Sequence, residues 1–160
     1  MIGIEELQQS IIPSLSELSQ DKNWRIKLSV VEQFPVLARQ LGEQFFNEKL
    51  NPICLTWLKD TIFTIREASL NNFKQLTINY GNQWAIKNVI PKVMWQHTDP
   101  NYLHRLTPLF FMAIMAEILT ADIIKAHFMP VLKVLAKDKV ANVRMNVAKA
   151  IQSLFAGLKS

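Results

Sequence analysis

Apolar residues recur along this chain at steps of three and four, which is the spacing of one face of an α-helix. One short pattern, with apolar side chains at its first, fourth and seventh positions, occurs four times. Its occurrences are Val31, Phe34 and Leu37; Leu70, Phe73 and Leu76; Leu109, Met112 and Met115; and Ala148, Ile151 and Leu154. Alternating runs of Val, Ile and Thr bounded by Asn-Gly or Asp-Gly, which are typical of strands, do not occur. The pattern predicts an all-α protein.

The apolar pattern belongs to a longer repeat of 39 residues. Prolines recur at this interval, at Pro13, Pro52, Pro91 and Pro130. Aspartates recur at the same interval, at Asp21, Asp60, Asp99 and Asp138. A basic residue follows each aspartate by six positions, at Lys27, Arg66, Arg105 and Arg144. Three chemically different columns that share one period predict four copies of one structural unit.

Each unit is predicted to fold as a helical hairpin with its turn around the aspartate. The first helix contains the proline, which removes a backbone hydrogen bond and bends the helix. The longer second helix ends near Gly42 in the first unit and near Gly81 in the second, where glycine suits a helix C-cap. Thr120 and Lys159 stand at the corresponding positions of the other two units.

A hairpin of this length cannot bury its apolar stripe alone, so neighbouring hairpins must stack and share a core. The interval, the proline and the spacing from aspartate to base resemble HEAT repeats. The predicted fold class is therefore all-α, an α-α superhelix (HEAT-repeat solenoid) of four helical hairpins. We predict a single domain over residues 1–160, with repeats at approximately 4–42, 43–81, 82–120 and 121–160.

The aspartate and base columns are predicted to form a structural ladder. Each aspartate would cap a turn or a helix start, and each base would reach the aspartate of its own or the adjacent repeat. A catalytic constellation converges on one place, whereas these groups are translated from repeat to repeat. The columns therefore indicate a structural role and not catalysis.

Aromatic residues occupy one position in three successive units, three residues after the aspartate: Trp24, Phe63 and Tyr102. The position lies at the start of the second helix, where its own repeat covers a large ring only in part. Exposed aromatics with an adjacent base such as Arg25 are typical of protein-binding hot spots, and aligned turns would form a ridge. The alternative is that the rings pack over the helix ends. The fourth unit has Val140 and Ala141 in this turn.

Other candidates for chemistry are sparse. The imidazoles of His97, His104 and His127 lack the spacing of a zinc helix. The lone cysteine, Cys54, lies in an apolar run and is predicted to be a small buried hydrophobe. The sequence has no glycine-rich phosphate loop, nucleophile elbow or Cys–His pairing. We predict no enzyme activity, no cofactor and no metal.

Composition narrows the class of protein further. The chain is 49% hydrophobic and 19% charged, which indicates a folded domain. Its net charge is +5, but the basic residues are scattered, so nucleic-acid binding is not expected. The longest apolar stretch, Leu109 to Ala116, is too short to cross a bilayer, and the first residues do not form a signal peptide. We expect a soluble, cytoplasmic protein without membrane contact, with the nucleus as an alternative location.

Three further tryptophans lie on or just before predicted first helices and are expected to be packing residues: Trp57, Trp84 and Trp95.

Several segments resemble the scaffold (A) regulatory subunit of protein phosphatase type 2A. They are residues 21–28, 40–42, 65–68, 90–93, 99–105 and 140–149. The stretches Asp-Pro-Asn-Tyr-Leu-His-Arg and Val-Ala-Asn-Val-Arg are more specific than a generic HEAT pattern. In that family fifteen HEAT repeats form a horseshoe, whose late repeats hold the catalytic subunit, whereas its early repeats hold a regulatory subunit. The four units here resemble the eleventh to fourteenth.

The resemblance implies a non-catalytic scaffold that binds the serine/threonine phosphatase catalytic subunit through its intra-repeat turns. The residues that it assigns to this contact are Trp24, Arg25, Phe63, Tyr102 and Val140. Two departures from the family are that Phe63 stands where tyrosine is common and that this chain is basic where the family scaffolds are acidic. The alternative is a diverged HEAT-repeat structural subunit of a larger complex, which contacts other proteins through its open ends.

Overall fold

The computed structural model describes residues 3–158, without the side chain of Ile4, and this range is built of helices and turns with no strand. Two compact units divide the chain, Met1–Asn79 and Tyr80–Ser160. Each unit contains two helical hairpins, which we number 1 to 4 in chain order. The single domain and the repeat boundaries given above stay predictions.

In the first unit, hairpin 1 has one continuous helix in each arm. These helices are α1 (Ile4–Leu18) and α2 (Trp24–Leu41). The first arm of hairpin 2 is broken into three pieces, and its second arm is one long helix. The pieces are α3 (Glu43–Phe45), a π-helical segment (Phe46–Leu50) and α4 (Asn51–Trp57), followed by α5 (Phe63–Tyr80).

In the second unit both arms of hairpin 3 are broken. They consist of α6 (Asn82–Asn88), α7 (Ile90–Met94), a 3₁₀ segment (Trp95–Thr98), α8 (Tyr102–Arg105) and α9 (Thr107–Met115). Hairpin 4 repeats the plan of hairpin 2. Its elements are α10 (Ala121–Ile123), a π-helical segment (Ile124–Phe128), α11 (Met129–Leu135) and α12 (Ala141–Gly157).

The repeated proline interrupts the first arm in three hairpins. Pro52 and Pro130 lie at the start of α4 and α11, each directly after a π-helical segment. Proline has no N–H to donate, and its ring pushes away the preceding turn, so the helix widens before it. Before Pro91 the backbone kinks at Val89 (φ −126°, ψ −57°), whereas Pro13 lies inside the continuous α1.

Glycines end the long second arms of the first two hairpins. Gly42 has φ +88° and Gly81 has φ +92°, a backbone conformation that side chains with a Cβ rarely adopt. At the equivalent point of hairpin 3, Thr120 has an ordinary extended backbone. Lys159 lies outside the described residues.

The predicted apolar stripe lies in the core in most of the chain. Of its twelve positions, the buried ones are Val31, Phe34, Leu70, Phe73, Leu76, Leu109, Met112, Met115 and Leu154. The stripe differs in hairpin 4, where Ala148 and Ile151 are exposed. Trp57 and Trp84 are buried as expected, but the expectation for Trp95 was wrong, since this ring is 72% exposed. Trp95 shares its repeat position with Thr56 and Val134, which are also exposed.

Candidate functional site

Each intra-hairpin turn is closed by its repeat aspartate. One carboxylate oxygen, Oδ1, accepts the backbone N–H of the residue two positions later. The N···O distances are 2.7 Å from Asn23 to Asp21, 2.9 Å from Ile62 to Asp60, 2.9 Å from Asn101 to Asp99 and 2.8 Å from Val140 to Asp138. This bond satisfies a backbone donor just before the second arm begins, so the turn is held locally.

Two asparagines cap the helices that start at the turns. The side chain of Asn23 accepts from the N–H of Arg25 at 3.1 Å, and that of Asn101 accepts from Leu103 at 3.0 Å. Neither cap is among the residues predicted from sequence. The signal was present, because asparagine is a favoured N-cap residue and stands immediately before the aromatic that opens the helix.

In each unit, one base joins its turn to the turn of the next hairpin. Lys27 donates from Nζ to Oδ2 of Asp60 at 2.7 Å. Arg105 donates from Nε and Nη2 to the two carboxylate oxygens of Asp138, at 2.7 and 3.0 Å. Both pairs are 33 residues apart in sequence and largely buried.

The arginines also hold their own turns. Arg66 donates from Nη1 to the carbonyl oxygens of Asp60 and Thr61 at 2.6 and 3.2 Å. The same atom of Arg105 binds the carbonyls of Asp99 and Pro100, both at 3.0 Å. Arg144 binds the carbonyl of Asp138 at 2.6 Å. Within unit 2, Nδ1 of His104 also lies 3.2 Å from Oδ2 of Asp99.

The contact between Arg105 and Asp138 shifts both titrating groups toward their charged forms. The hydrogen bond from Arg105 is the main cause that lowers the pKa of Asp138; burial opposes it, and the N–H of Val140 assists. The hydrogen bond to Asp138 raises the pKa of Arg105, again against burial. Both groups are therefore ionised at neutral pH, and the pair is a full ion pair.

In unit 1, both predicted aromatic positions lie beside an arginine. The guanidinium of Arg25 is 4.7 Å from the ring centroid of the half-buried Trp24. The guanidinium of Arg66 is 5.5 Å from the ring of Phe63, which is 51% exposed. Each turn therefore presents an aromatic ring against a positive charge, an arrangement that suits recognition of mixed apolar and acidic surfaces.

In unit 2, the corresponding positions differ from each other. Tyr102 is 37% exposed and is followed by the exposed Leu103. Val140 is half-buried and is a much smaller apolar residue. Hairpin 3 therefore offers a broad apolar surface at its turn, and hairpin 4 offers a small one.

Residues that could support chemistry do not assemble in the described part of the chain. Within residues 3–158 there is no group of three or more His, Cys, Asp or Glu side chains that could hold a metal ion. The thiol of Cys54 is buried, and burial raises its pKa. In the same residues, every helix is either too short or too polar to cross a membrane.

Comparison with known proteins gives matches to part of the sequence. A family model described as HEAT repeat matches residues 128–158. The regulatory A subunit of protein phosphatase PP2A from Schizosaccharomyces pombe is 42% identical over 70 residues, which is 44% of this chain and 12% of that protein. The protein of the same name from Pisum sativum is 41% identical over 54 residues, which is 33% of this chain and 14% of that protein. The matches span only a small part of the length of these curated relatives.

The fold is also similar to a solved structure, the crystal structure of Cex1p. The TM-score is 0.69 at 16% identity, and the likeness covers 99% of this chain and 30% of that chain. At this identity the likeness shows the fold alone, and it confirms the all-α helical-repeat class. The sequence relatives and the family model confirm the resemblance predicted from residues.

Proposed function

We propose that this chain, a HEAT-repeat relative of the A-type scaffolds of protein phosphatase 2A, is a non-catalytic scaffold that binds a serine/threonine phosphatase catalytic subunit. The proposed contact lies at the intra-hairpin turns. The observation that carries it is an aromatic ring at the first position of the second arm in hairpins 1, 2 and 3. Each of these three rings is at least partly exposed. A scaffold role agrees with the names of the sequence relatives.

The turns are suited to binding because they are already ordered. The aspartate bonds close each turn, and the caps of Asn23 and Asn101 fix the start of the helix on which the ring sits. A partner therefore has little backbone entropy to remove when it docks. Aromatic side chains add a large contact area at a small rotamer cost.

The side chains at the turns define the chemistry of the proposed partner surface. Arg25 beside Trp24 and Arg66 beside Phe63 favour carboxylates next to apolar side chains. The Tyr102 hydroxyl can donate a hydrogen bond, whereas Phe63 can contribute only ring packing. Val140 would add a small apolar contact at the turn of hairpin 4.

The test measures the affinity of this chain for a purified phosphatase catalytic subunit by biolayer interferometry. The double variant Trp24→Ala/Tyr102→Ala is expected to weaken binding roughly 1,000-fold, since two hot-spot side chains contribute about 2 kcal/mol each. Phe63→Ala should weaken it about 30-fold by the same reasoning. Circular dichroism checks that each variant keeps its helices.

Trp95→Ala is the matched control, because this exposed tryptophan lies on a first arm and not at a turn. It should leave the affinity within about threefold of the parent, as expected for a surface change outside the contact. Absence of binding by the parent, or equal binding by parent and double variant, would overturn the proposal.

A second candidate function is that of a structural component of another complex, whose contacts are apolar faces and not the turns. The exposed Phe155 and Ile151 of hairpin 4 favour it. Under this function Phe155→Glu would disrupt assembly and the double turn variant would not.

The expected cytoplasmic and nuclear location belongs to the same proposals, and imaging of a fluorescently tagged chain tests it.

A further inference from the structure

One tryptophan of unit 2 lies open to solvent. Trp95 is 72% exposed, the largest exposed fraction of any large apolar side chain within residues 3–158. Its neighbours in the chain, Met94 and Gln96, are both buried, so the backbone turns the ring away from the core. A tryptophan that becomes buried removes roughly 150–250 Å² from water, and Trp95 contributes little of this to the fold. The ring is therefore free to contact a partner.

The exposure of Trp95 comes from its repeat position and not from the limits of the chain. The same position is held by Glu17, Thr56 and Val134 in the other hairpins, and all three are exposed. The repeated prolines, four residues earlier in each hairpin, are exposed as well. Hairpins 2 and 3 follow this rule although each has a hairpin before and after it in the sequence. Stacking of hairpins therefore leaves this side of the first arms uncovered.

In unit 2 these positions form one apolar surface, which we call the outer patch: Pro91, Trp95, Pro130 and Val134. Each proline lies four residues before its partner, so the two side chains share one side of their arm. The 3₁₀ segment that carries Trp95 packs against α11, which carries Pro130 and the 55% exposed Val134. Packed helices lie roughly 8–10 Å apart, so one docked segment can contact both arms.

The outer patch is particular to unit 2. At the corresponding positions unit 1 has the polar Glu17 and Thr56 beside its prolines. The same hairpin plan forms with either kind of side chain, so packing does not require a tryptophan at this position. An exposed apolar surface that the fold does not need is typical of a binding site.

The first arms that carry the outer patch are basic. Their five lysines are all exposed, and they are Lys87, Lys92, Lys125, Lys133 and Lys137. The one acidic residue of residues 82–98 and 121–137 is Asp122, about three helical turns before Val134. Residues 80–160 as a whole carry ten Lys and Arg against four Asp and Glu, whereas residues 1–79 carry eight against nine. Charge complementarity therefore calls for a partner that brings carboxylates.

The backbone around Trp95 is ordered without a partner. The hydroxyl of Thr98 donates to the carbonyl of Trp95 at 2.8 Å, and Nδ1 of His97 donates to the carbonyl of Met94 at 2.7 Å. The position of the ring is thus fixed by its own segment. A surface that is ordered in advance loses little backbone entropy when a partner docks.

We propose that the outer patch binds an acidic amphipathic segment of a partner protein. An aromatic or aliphatic side chain of that segment packs on Trp95 and Val134, and neighbouring Asp or Glu side chains meet the lysines. A bilayer is a poorer fit, because Trp95 is the only exposed aromatic side chain of residues 82–98 and 121–137, and membrane insertion uses a broad apolar face. The patch lies on first arms and not at the turns, so the inference does not depend on a phosphatase partner.

Selection of short random peptides from a display library on the 160-residue chain tests the inference. The library is first depleted on Trp95→Ala, which removes peptides that bind other surfaces. Peptides that then bind the parent should share an aromatic or aliphatic residue next to Asp or Glu. Fluorescence anisotropy of these labelled peptides should show binding about 30-fold weaker to Trp95→Ala, as expected for loss of a hot-spot side chain. Circular dichroism should show an unchanged helix content, because the ring is exposed.

The lysines have their own variants. Lys92→Glu and Lys137→Glu should each weaken binding of the selected peptides about 3- to 10-fold, and the loss should shrink as salt is added. Lys149→Glu is the matched control, because it makes the same charge change at an exposed position of unit 2 but on the second arm α12. It should change the affinity less than about twofold.

The two binding surfaces can be separated by exchange of variants. Trp24→Ala/Tyr102→Ala should keep the affinity for the selected peptides, and Trp95→Ala should keep the affinity for a phosphatase catalytic subunit. Failure of this inference is therefore distinct from failure of the proposed function.

Four results would overturn the inference. No peptide could remain after depletion on Trp95→Ala, or the remaining peptides could bind Lys92→Glu and Lys149→Glu equally well. Phosphatidylserine vesicles could bind the parent and not Trp95→Ala, which would assign the outer patch to a membrane. Sedimentation velocity could show dimers of the parent that Trp95→Ala abolishes, which would assign the patch to a second copy.

Discussion

The hairpin contacts of unit 1 and unit 2 use the same repeat positions with different chemistry. In unit 1, Lys27 gives Asp60 one bond, while Trp57 supplies ring packing on Phe34 and donates from its indole to the carbonyl of Ser19 at 3.1 Å. In unit 2, Arg105 alone makes four hydrogen bonds, two to Asp138 and two to its own turn. One repeat plan can therefore be held mainly by an aromatic residue or mainly by an arginine.

The difference follows from the geometry of the two side chains. A guanidinium presents five donors in a rigid fork, so one Arg105 can bind a carboxylate on one side and two carbonyls on the other. An ammonium is a point charge on a flexible stem, and Lys27 bridges to Asp60 through its single nitrogen. Unit 1 compensates with the buried amide of Asn72 and the indole of Trp57.

The largest expected effect is loss of the arginine in unit 2. Arg105→Met should lower the free energy of unfolding by about 3–5 kcal/mol, because it leaves the largely buried Asp138 without its partner. Lys27→Met should cost less, about 1–3 kcal/mol, because it removes one hydrogen bond where Arg105→Met removes four, although Asp60 is as buried as Asp138. Urea unfolding followed by circular dichroism measures both. Equal losses would contradict the division of roles.

A smaller effect is expected for the aromatic contact of unit 1. Trp57→Phe should cost about 1–3 kcal/mol, because it leaves a cavity and an unsatisfied carbonyl at Ser19. Phe128→Leu, which trims a ring contact of unit 2, is the comparison and should cost less than about 1.5 kcal/mol. The same urea unfolding measures both variants. If Trp57→Phe does not lower the free energy of unfolding, ring packing alone stabilises this contact of unit 1.

Exchange of the two bases sharpens the comparison further. Arg105→Lys should cost about 1–2 kcal/mol, because the fork that binds two turns is replaced by one ammonium. Lys27→Arg should be neutral or stabilise by up to about 1 kcal/mol, if its fork reaches both oxygens of Asp60. Thermal unfolding of the two single variants and of the double variant shows whether each exchange raises or lowers the melting temperature. Destabilisation by Lys27→Arg would show that unit 1 has no room for the fork.

The mildest test uses pH. The folded-state pKa of Asp138 lies below its unfolded value, which is about 3.9 for aspartate. Its ion pair therefore contributes stability that is fully present above the unfolded pKa and is lost as pH falls through the folded pKa. The stability difference between the parent and Asp138→Asn should be largest near neutral pH and shrink below about pH 4. A difference that does not change with pH would contradict the ion pair.

Much of the fold could be predicted because it rests on local rules. The all-α class, the glycine ends at Gly42 and Gly81 and the burial of Trp57 all follow from periodicity and backbone preference. Trp95 could not be placed by its hydrophobicity, although its repeat partners Glu17 and Thr56 gave a polar signal. The break in the second arm of hairpin 3, between α8 and α9 near Pro108, was also not predicted. The second arms of the other three hairpins are single continuous helices.

The 39-residue columns indicated which bases and aspartates could meet, but the other contacts between distant residues lay beyond any sequence pattern. Gly157 is an instance: a Cβ there would lie 2.5 Å from the carbonyl oxygen of Ala116, so α12 passes close to backbone 41 residues earlier. A glycine so near the end of a helix suits a C-cap, and nothing in the sequence indicated this close approach. The exposure of the turn aromatics likewise depends on which neighbouring arms approach each ring.

The amino-acid sequence was sufficient for the repeat, the helices, the aspartate-closed turns and the family resemblance, because these depend on spacing, capping and backbone preference within one hairpin. Packing between hairpins decided the rest. It made Arg105 a clamp on two turns and Lys27 a single bridge, and it buried Phe34 while it left Phe155 exposed. These outcomes depend on which surface lies opposite a side chain, and that is a property of the assembled hairpins and not of the local sequence.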